Sequence, residues 1–336
     1  MTTVAVIIPY FQQRPGILQR ALASVLRQKL PAGVRVDILL IDDGSPVPAR
    51  AEIDGLTFES PFHLKLVEQS NAGVGAARNA ALNLVNPATD YIAFLDSDDY
   101  WHPDYLATAL FALDQGSDFY FCDSQRVGDP HTSYSENNFA ADFIIQHGTP
   151  KGADLYKLDP AAFFDQSLRK RVFRTPSTVY RRAIAPALLF DTSLRVAGED
   201  CLFFFQLLSR CQRICCSTHL LATFGDGVNI HAGKFSWNDP GHLLRHMAQL
   251  LACYTWRDKL SLSTRNDRFL RKRIGRLRAL FAFFTIRYFL KKRELWPDEL
   301  RKLVQSDARF LWWYPAYCAY VALCFPLRLY DPLREW

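Results

Sequence analysis

Three aspartates stand within four positions at the end of an apolar run, "YIAFLDSDDYWHP" (91–103). Asp96, Asp98 and Asp99 are close enough to raise one another's pKa, so the cluster needs a cation, hydrogen-bond donors or water around it. The D-x-D pair of Asp96 and Asp98 offers hard oxygen ligands, which suit Mg²⁺ or Mn²⁺ shared with a diphosphate. A helix cap is the alternative, and for Asp99 and Asp104 we expect capping or solvation.

Two other polar segments follow apolar runs in the same half of the chain. In "IDDGS" (41–45), Asp42 is suited to bind a ribose hydroxyl or a base N–H, but it is equally suited to an ordinary Asx turn. In "NAGVGAARN" (71–79) the glycines permit close backbone approach. Arg78 can then pair with a phosphate or a base carbonyl, although a surface arginine is the default. The glycine spacing matches neither a Walker loop nor the dinucleotide fingerprint.

A third acid pair opens a strongly apolar helix at "GEDCLFFFQLL" (198–208). Acids in a first helical turn are stabilised by the helix dipole, which is the structural explanation for Glu199 and Asp200. The functional alternative is a general base, in which Asp200 removes a proton from an acceptor hydroxyl.

The elements that must position these residues alternate between strands and helices. Apolar runs predict strands at 4–9 (which Pro9 should end), 36–45, 63–70 and 91–96, with helices at 16–28 and after the Gly-rich loop. This alternation predicts a parallel, doubly wound α/β sheet through about residue 125. Ligands of such sheets bind beyond the carboxyl ends of the strands, where the clusters Pro9–Phe11, Asp42–Ser45 and Asp96–Asp99 fall.

After residue 125 the sequence pattern differs between two further regions. Residues 126–160 predict a long loop region with short elements, and loops of that length are commonly functional. Residues 177–210 predict a strand, a turn and a helix. We therefore expect a domain at 1–238, with a nucleotide-binding half (1–125) and an acceptor half (126–238), and a helical region at 239–336.

Charge and cysteine content narrow the class of protein. The formal net charge of the chain is +6, but the segment Arg257–Lys302 alone has a net charge of +10, which leaves −4 for the remaining residues. The body is therefore a poor nucleic-acid binder, while the basic segment suits an anionic surface. The eight cysteines lack metal spacing, so we expect reduced, packed thiols. The start, "MTTVAVIIPY", has no signal-peptide pattern, and we expect the body to lie in the cytoplasm.

Two C-terminal segments suggest contact with a membrane surface. Residues 268–293 place Leu270, Ile274, Leu277, Phe281 and Phe284 on one stripe among many Arg and Lys residues, a pattern typical of helices that lie on anionic membranes. Residues 310–327 carry no charge but contain prolines and a Trp-Trp-Tyr cluster. This segment either spans the membrane, re-enters it or lies on it, or else packs in a soluble core or dimer contact.

The motifs "VIIPYF", "IDDGS", "NAGVGAARN", "FLDSDD" and "GED", in that order, resemble the inverting family 2 glycosyltransferases of GT-A fold. The resemblance covers roughly residues 3–235. It implies a mixed, mostly parallel sheet with helices on both faces, a Mn²⁺ or Mg²⁺ ion, and a nucleotide diphosphate sugar donor, most commonly a UDP-sugar. The acceptor would be a saccharide or a lipid-linked saccharide.

The resemblance also implies roles for individual residues. Phe11 would lie against the nucleobase, with Pro9 as a further donor-binding residue. Asp42 would bind the base, and Arg78 would lie near the base carbonyl or the diphosphate. Asp96 would take the ribose and Asp98 the metal, with Ser97 and Asn71 as secondary donor contacts. Asp200 would be the catalytic base and Glu199 would orient the acceptor. His231, in "GDGVNIHAGKFS", is a candidate metal or phosphate ligand, and Gln12 stands where the family often has Asn.

Together these features predict an inverting, metal-dependent sugar transfer, in surface polysaccharide biosynthesis at the inner membrane. The alternative from another class is an inactive nucleotide-sugar-binding or membrane scaffold protein. A nucleotidylyltransferase would need a Gly-rich basic loop where this chain has "IIPYFQQRPG", and a DxDx[TV] phosphatase would carry its motif near the first strand.

Overall fold

The computed structural model describes residues 1–152, 154–225, 241–292 and 309–325. The chain divides into two compact units. The first unit comprises Met1–Thr192 with Phe203–Val228, and the second comprises Ser193–Leu202 with Asn229–Trp336.

The described residues of the first unit form a ten-stranded mixed sheet, in the order β3-β2-β1-β4-β9-β6-β10-β8-β7, with β5 paired to β10. The strands are β1 (Thr2–Tyr10), β2 (Val34–Asp42), β3 (Phe62–Glu68), β4 (Tyr91–Phe94), β5 (Tyr100–Trp101), β6 (Phe119–Arg126), β7 (Gly148–Pro150), β8 (Leu155–Leu158), β9 (Thr178–Arg181) and β10 (Ile214–Phe224). β1 pairs in parallel with β2 and β4, and β2 with β3. The predicted mixed α/β sheet is confirmed.

One strand interrupts the parallel order that the sequence predicts through residue 125. β9 pairs antiparallel with both β4 and β6, so β6 is not the direct neighbour of β4. The alternation of strands and helices along the sequence shows only the order in which the elements follow one another in the chain. It does not reveal a later strand that enters the middle of the sheet.

Helices cover both faces of this sheet, as predicted. The first-unit helices are α1 (Ile17–Leu26), α2 (Ala49–Ile53), α3 (Val74–Leu84), α4 (Tyr105–Asp114), α5 (Ser133–Glu136), a π-helical turn (Ala140–Ile144), α6 (Ile145–His147) and α7 (Pro160–Arg169). Helix α8 (Glu199–Leu208) begins in the second unit and ends in the first. Side chains of α1 and α4 join one core, and those of α3, α7 and the end of α8 join the other.

Strand alternation explains why both cores exist. In β1, Val4, Val6 and Ile8 lie in the core with α1, whereas Ala5 and Ile7 lie in the opposite core. Successive side chains of a strand point to opposite faces, so a continuous apolar run predicts a strand buried on both sides.

The prediction that Pro9 ends the first strand is wrong. β1 continues through Pro9 to Tyr10, and Pro9 pairs with Ile41 of β2. On the other side, β4 pairs with β1 only as far as Ile7. Pro9 lies beyond that ladder, so its missing N–H removes no hydrogen bond there.

All eight cysteines are free, and five of them are buried in the packed thiol form that the sequence predicts. Cys215 and Cys216 are buried on opposite faces of β10. Burial raises the pKa of the Cys215 thiol to about 11 and raises the pKa of the Cys216 thiol well above its ordinary value. Neutral, buried thiols of this kind act as small apolar side chains.

The described second unit contains three further helices: α9 (Gly241–Lys259), α10 (Thr264–Lys292) and α11 (Phe310–Cys324). The apolar stripe of α10, from Leu270 to Phe284, is buried within this unit. Phe281, for example, contacts the rings of Phe310 and Trp313 on α11. The stripe that the sequence offers to a membrane is therefore occupied by protein. Within the described ranges, no helix combines the length and apolarity required to cross a membrane.

An aromatic cluster at the end of β4 provides a test of the core that includes α3, α7 and the end of α8. Phe94 is fully buried among Tyr180, Phe190, Phe203 and Phe204, with ring centroids 5.5–6.3 Å away. Phe94→Ala should lower the free energy of unfolding by about 3–5 kcal/mol, because it removes the ring and leaves a cavity. Phe111→Ala, at a position 55% exposed, is the matched control and should change it by less than about 0.5 kcal/mol. Urea denaturation measures both, and equal losses would contradict this packing.

A buried histidine makes the second unit sensitive to acid. Burial, with smaller contributions from His242 and Arg245, lowers the pKa of His246 from 6.5 to about 3. Between these two values the unfolded chain binds the extra proton, so the free energy of unfolding falls as the pH drops from 6.5.

His246→Phe keeps a ring against Phe284, whose centroid lies 5.2 Å away, and removes the titration. We expect the difference in Tm between pH 7 and pH 5, measured by circular dichroism, to shrink in this variant. His63→Gln, at an exposed site of the first unit, should leave that difference unchanged. If His246→Phe retained the full difference, the assignment to His246 would be wrong.

Candidate active site

The acidic turn that follows β4, residues Asp96–Asp99, begins with an ion pair. Asp96 Oδ1 accepts a hydrogen bond from Arg78 Nη2 at 2.7 Å. Arg78 is buried on α3, and its guanidinium lies 5.2 Å from the centre of the Phe190 ring. The surface-arginine explanation for Arg78 is therefore wrong, because this side chain carries a buried charge against the first acid of the turn.

The second residue of the turn is held from the end of β1. Ser97 Oγ accepts a hydrogen bond from Gln12 Nε2 at 3.0 Å, and both residues are buried. The backbone N–H of Gln12 donates to Ser45 Oγ at 2.7 Å, and Ser45 Oγ donates back to the Gln12 carbonyl at 2.9 Å. Gln12 thus joins the segments after β1, β2 and β4. The sequence singled it out only as a departure from the family pattern.

The third and fourth residues are held by α1 and by the end of β10. The Asp98 carbonyl accepts from Arg20 Nη2 at 2.8 Å, and its side chain is half-buried. Asp99 is buried, and its Oδ1 accepts from the Gly225 N–H at 2.8 Å. Burial, together with the neighbouring carboxylates of Asp96 and Asp98, raises the pKa of Asp99 well above its ordinary value.

The expectation of capping or solvation holds for only one of these two acids. Asp99 does neither, because it is enclosed and bonded to Gly225. Asp104 is half-buried, with 42% of its side chain exposed to solvent; it pairs with Lys29 at 2.9 Å and precedes α4 without a side-chain capping bond. The Asp99–Gly225 contact spans 126 residues, and no local pattern reveals it.

Gly225 is required by the packing at this point. A Cβ atom there would lie 2.0 Å from the Asp98 carbonyl oxygen and 2.8 Å from Arg20 Nη2. The distance to the backbone oxygen excludes a side chain at this position, whereas the end of the Arg20 side chain is able to move. The close approach arises because β5 pairs with the end of β10, where Tyr100 lies opposite Thr223.

The two acids of "IDDGS" organise the loops beside the turn. Asp42 is buried and accepts backbone N–H bonds from Ser45 at 2.8 Å and Ala49 at 2.7 Å. The structure therefore shows the turn alternative for Asp42, and its role toward a base stays a prediction.

Asp43, which the sequence left without a role, is the more heavily bonded residue. Its carboxylate accepts from Gln69 Nε2, Ala72 N–H and Gly73 N–H at 2.7–2.8 Å. Its carbonyl accepts from Asn71 Nδ2 at 3.0 Å. Asp43 therefore fixes the Gly-rich loop that precedes α3.

The remaining predicted donor contacts lie at the end of β1. Pro9 is buried in the strand, and Phe11 is half-buried just after it. An aromatic ring at this position can present a face to a base. His231 lies outside the described residues.

The "GED" residues belong to the second unit. Glu199 and Asp200 are half-buried in the first turn of α8, and Asp200 Oδ1 accepts from the Cys201 N–H at 2.7 Å. Gly198 has φ +87°, and a Cβ there would lie 2.6 Å from Ala252 Cβ on α9. Trp256 Nε1 donates to the Gly198 carbonyl at 3.2 Å. The turn that presents the two acids is therefore fixed against α9.

The donor set of the acidic turn fits a weakly held hard cation. Asp98 supplies a carboxylate, while Asp96 is already paired with Arg78. In the part of the chain that is described, His, Cys, Asp and Glu form no group of three or more that could hold a metal ion. Mg²⁺ is commonly bound by one or two carboxylates together with water and substrate phosphates, and that pattern needs no protein cage.

Comparison with known proteins gives consistent matches. The family model "Glycosyl transferase family 2" matches residues 5–175. The succinoglycan biosynthesis protein ExoW of Rhizobium meliloti (strain 1021) is 32% identical over 323 residues, covering 93% of this chain and 94% of that protein.

Two solved structures share the fold. S. aureus TarS 1-349 in complex with UDP-GlcNAc has a TM-score of 0.58 at 18% identity, over 98% of this chain and 93% of that one. The mannosyltransferase PcManGT from Pyrobaculum calidifontis, in complex with GDP-Man and Mn²⁺, has a TM-score of 0.50 at 15% identity, over 96% and 86%. At these identities the likeness concerns the fold alone.

The bonds of Asp43 predict a large effect of its removal on stability. Asp43→Ala leaves three donors without their acceptor and should lower the free energy of unfolding by about 3 kcal/mol. Asp54→Ala, at an exposed position, is the control and should change it by less than about 0.5 kcal/mol. Chemical denaturation measures both values. Equal effects would show that the Asp43 network contributes little.

Proposed function

The chain belongs to glycosyl transferase family 2, and from this premise we propose that it transfers a sugar from a nucleotide diphosphate sugar to a hydroxyl group of a saccharide or lipid-linked saccharide. The transfer inverts the anomeric centre and serves surface polysaccharide assembly. ExoW, named for succinoglycan biosynthesis, supports the polysaccharide role. The neighbours solved with UDP-GlcNAc and GDP-Man support a nucleotide-sugar donor, and we place UDP-sugars first.

The observation that carries this proposal is the construction of the acidic turn. Its residues are bonded to α1, α3 and the ends of β1 and β10, at the edge of the sheet where the loops after β1 and β2 also meet. Side chains held by separate elements keep their geometry when a ligand arrives, which reduces the ordering cost of binding.

At this edge of the sheet, different residues would bind different parts of the nucleotide-sugar donor. Phe11, beside Pro9, packs against the base, and Asp42 and Arg78 recognise its polar edge or the diphosphate. Asp96 accepts from the ribose while it stays paired with Arg78, and Ser97 and Asn71 add polar contacts. These are the roles that the resemblance of the motifs, in their order, to the family implies.

Asp98, with His231 as a second candidate, would hold Mn²⁺ or Mg²⁺. Such an ion, when bound, neutralises the charge that develops on the departing diphosphate. The chain's part is to keep Asp98 in place, and the bond from Arg20 to the Asp98 backbone carbonyl supports this role. The Mn²⁺ in the PcManGT complex supports a divalent ion.

On the acceptor side, Asp200 would take the proton from the attacking hydroxyl as the new bond forms. The hydroxyl attacks from the face opposite the leaving group, so a single displacement inverts the centre. Glu199 would orient the acceptor. An alcohol is a weak nucleophile at neutral pH, so a positioned carboxylate supplies the help that this step requires.

We also propose that the enzyme works in the cytoplasm, at the surface of the inner membrane. The second unit carries the basic segment Arg257–Lys302, whose charge of +10 favours anionic lipid headgroups. A lipid-linked acceptor would be presented at that surface.

The test separates donor binding from transfer. Asp98→Asn should weaken Mn²⁺-dependent binding of the donor nucleotide, measured as thermal stabilisation across UDP, GDP and dTDP with and without Mn²⁺. Asp200→Asn should leave that binding intact and lower transfer of radiolabelled sugar into a bacterial lipid extract by about 10²–10⁴-fold. Asp104→Asn, at a half-buried position outside the turn where the side chain pairs with Lys29, is the control for both measurements.

Three outcomes would contradict the proposal. Nucleotide binding without any transfer by the parent chain would indicate the binding-protein alternative. Full transfer by Asp200→Asn would remove Asp200 from the mechanism. Unchanged Mn²⁺ dependence in Asp98→Asn would remove Asp98 as the metal ligand.

A further inference from the structure

The turn that leads into helix α8 carries the two acids to which we assign the acceptor step, and its backbone is held at Gly198. The Gly198 carbonyl accepts the first intrahelical bond of α8, from the Leu202 N–H at 3.0 Å. It accepts a second bond from Trp256 Nε1 at 3.2 Å. A carbonyl oxygen has two lone pairs, so it can accept both bonds at once. The second bond therefore ties the start of α8 to α9.

Trp256 is a buried residue of α9, and its ring lies directly against this turn. Gly198 has φ +87°, a backbone conformation that glycine adopts without strain. A Cβ atom there would lie 3.2 Å from Trp256 Cζ2 and 2.6 Å from Ala252 Cβ. Because glycine has no side chain, the backbone of the turn reaches the indole ring. The place of the turn therefore depends on the place of Trp256.

The indole ring is itself supported from α10. The Arg273 guanidinium lies over the Trp256 ring, 5.7 Å from its centre. A cation over a tryptophan face is attracted to it, more strongly where water is partly excluded. Arg273 is half-buried and Trp256 is 5% exposed. Gly198, Trp256 and Arg273 all belong to the second unit, so this support of the turn comes from within that unit.

The Asp200 carboxylate follows the turn, because it is bonded to it. Asp200 stands two residues after Gly198, and its Oδ1 accepts from the Cys201 N–H at 2.7 Å in the first turn of α8. A displacement of the turn would therefore displace this carboxylate. A general base must lie within hydrogen-bond reach of the proton that it removes. A misplacement of about 1 Å can lower a rate by about 100-fold.

We propose that Trp256 is a positioning residue for sugar transfer, because its indole N–H holds Gly198 and thereby places the Asp200 carboxylate for the acceptor hydroxyl. This inference rests on the proposed function, in which Asp200 is the base. The effect is confined to the acceptor step, since the residues proposed to bind the nucleotide lie in the first unit. The second unit then takes part in catalysis through α9.

The test compares the full chain with Trp256→Phe, which keeps a ring beside Gly198 and removes the indole N–H. In the radiolabel transfer assay kcat should fall about 10–100-fold, because the base is misplaced. The KM for the donor, the thermal stabilisation by nucleotide and the circular dichroism spectrum should stay those of the parent. Trp313→Phe is the matched control and should keep the parent's kcat. Trp313 is also a buried tryptophan of the second unit, with Arg278 over its ring at 5.3 Å.

A double variant separates positioning from a general loss of packing. When Asp200→Asn has removed the base, adding Trp256→Phe should lower the residual transfer no further, because there is no base left to place. A loss by the same factor with and without the Asp200 carboxylate would overturn the proposal, since Trp256 would then act independently of it. An unchanged kcat in Trp256→Phe alone would overturn it as well.

Amide hydrogen exchange gives a measurement that does not require transfer. The Leu202 N–H, whose acceptor is the Gly198 carbonyl, should exchange faster in Trp256→Phe than in the parent or in Trp313→Phe. Unchanged exchange at Leu202 would overturn the role of Trp256 whatever the transfer assay shows. Full transfer by Asp200→Asn would instead contradict the assignment of the base, while faster exchange at Leu202 would still establish that Trp256 holds the turn.

Discussion

Acidic groups crowded into one turn remain together only when something outside the turn holds them, and here each position has a different support. Arg78 neutralises Asp96, Gln12 bonds Ser97, Arg20 holds the Asp98 backbone, and Gly225 bonds the buried Asp99. In a partly dry environment the mutual repulsion of carboxylates is stronger than in water, so these contacts are a condition for the turn to exist. The Asp98 carboxylate is the acid of the turn to which we assign the metal-binding role.

Much of this arrangement follows from short-range patterns in the sequence. Apolar runs followed by acids predicted the strands and the shared edge of the sheet, because carboxyl ends of parallel strands meet there. The opposite facing of Cys215 and Cys216 followed from strand geometry alone. Helix α8 begins at Glu199, as the "GED" pattern predicted.

What the sequence could not provide are contacts between distant segments. Asp42 and Asp43 look alike in a string of letters, yet they bond different loops because successive side chains leave the strand end in opposite directions. Gly225 looks like any loop glycine until β5 brings the acidic turn against β10. The apolar stripe of α10 has the composition of a membrane-binding helix, and packing within the second unit decides its use.

The close packing of Gly198 against α9 has a consequence for experiments on shortened forms of the protein. A shortened chain ending at residue 238 would retain the whole described sheet and the acidic turn, yet it would lack Ala252 and Trp256, against which Gly198 is packed. Such a fragment would keep the residues proposed to bind the nucleotide. It would lose the contacts that fix Glu199 and Asp200 in the first turn of α8. Because Asp200 is the proposed base, sugar transfer measured on such a fragment would be lower than that of the intact chain.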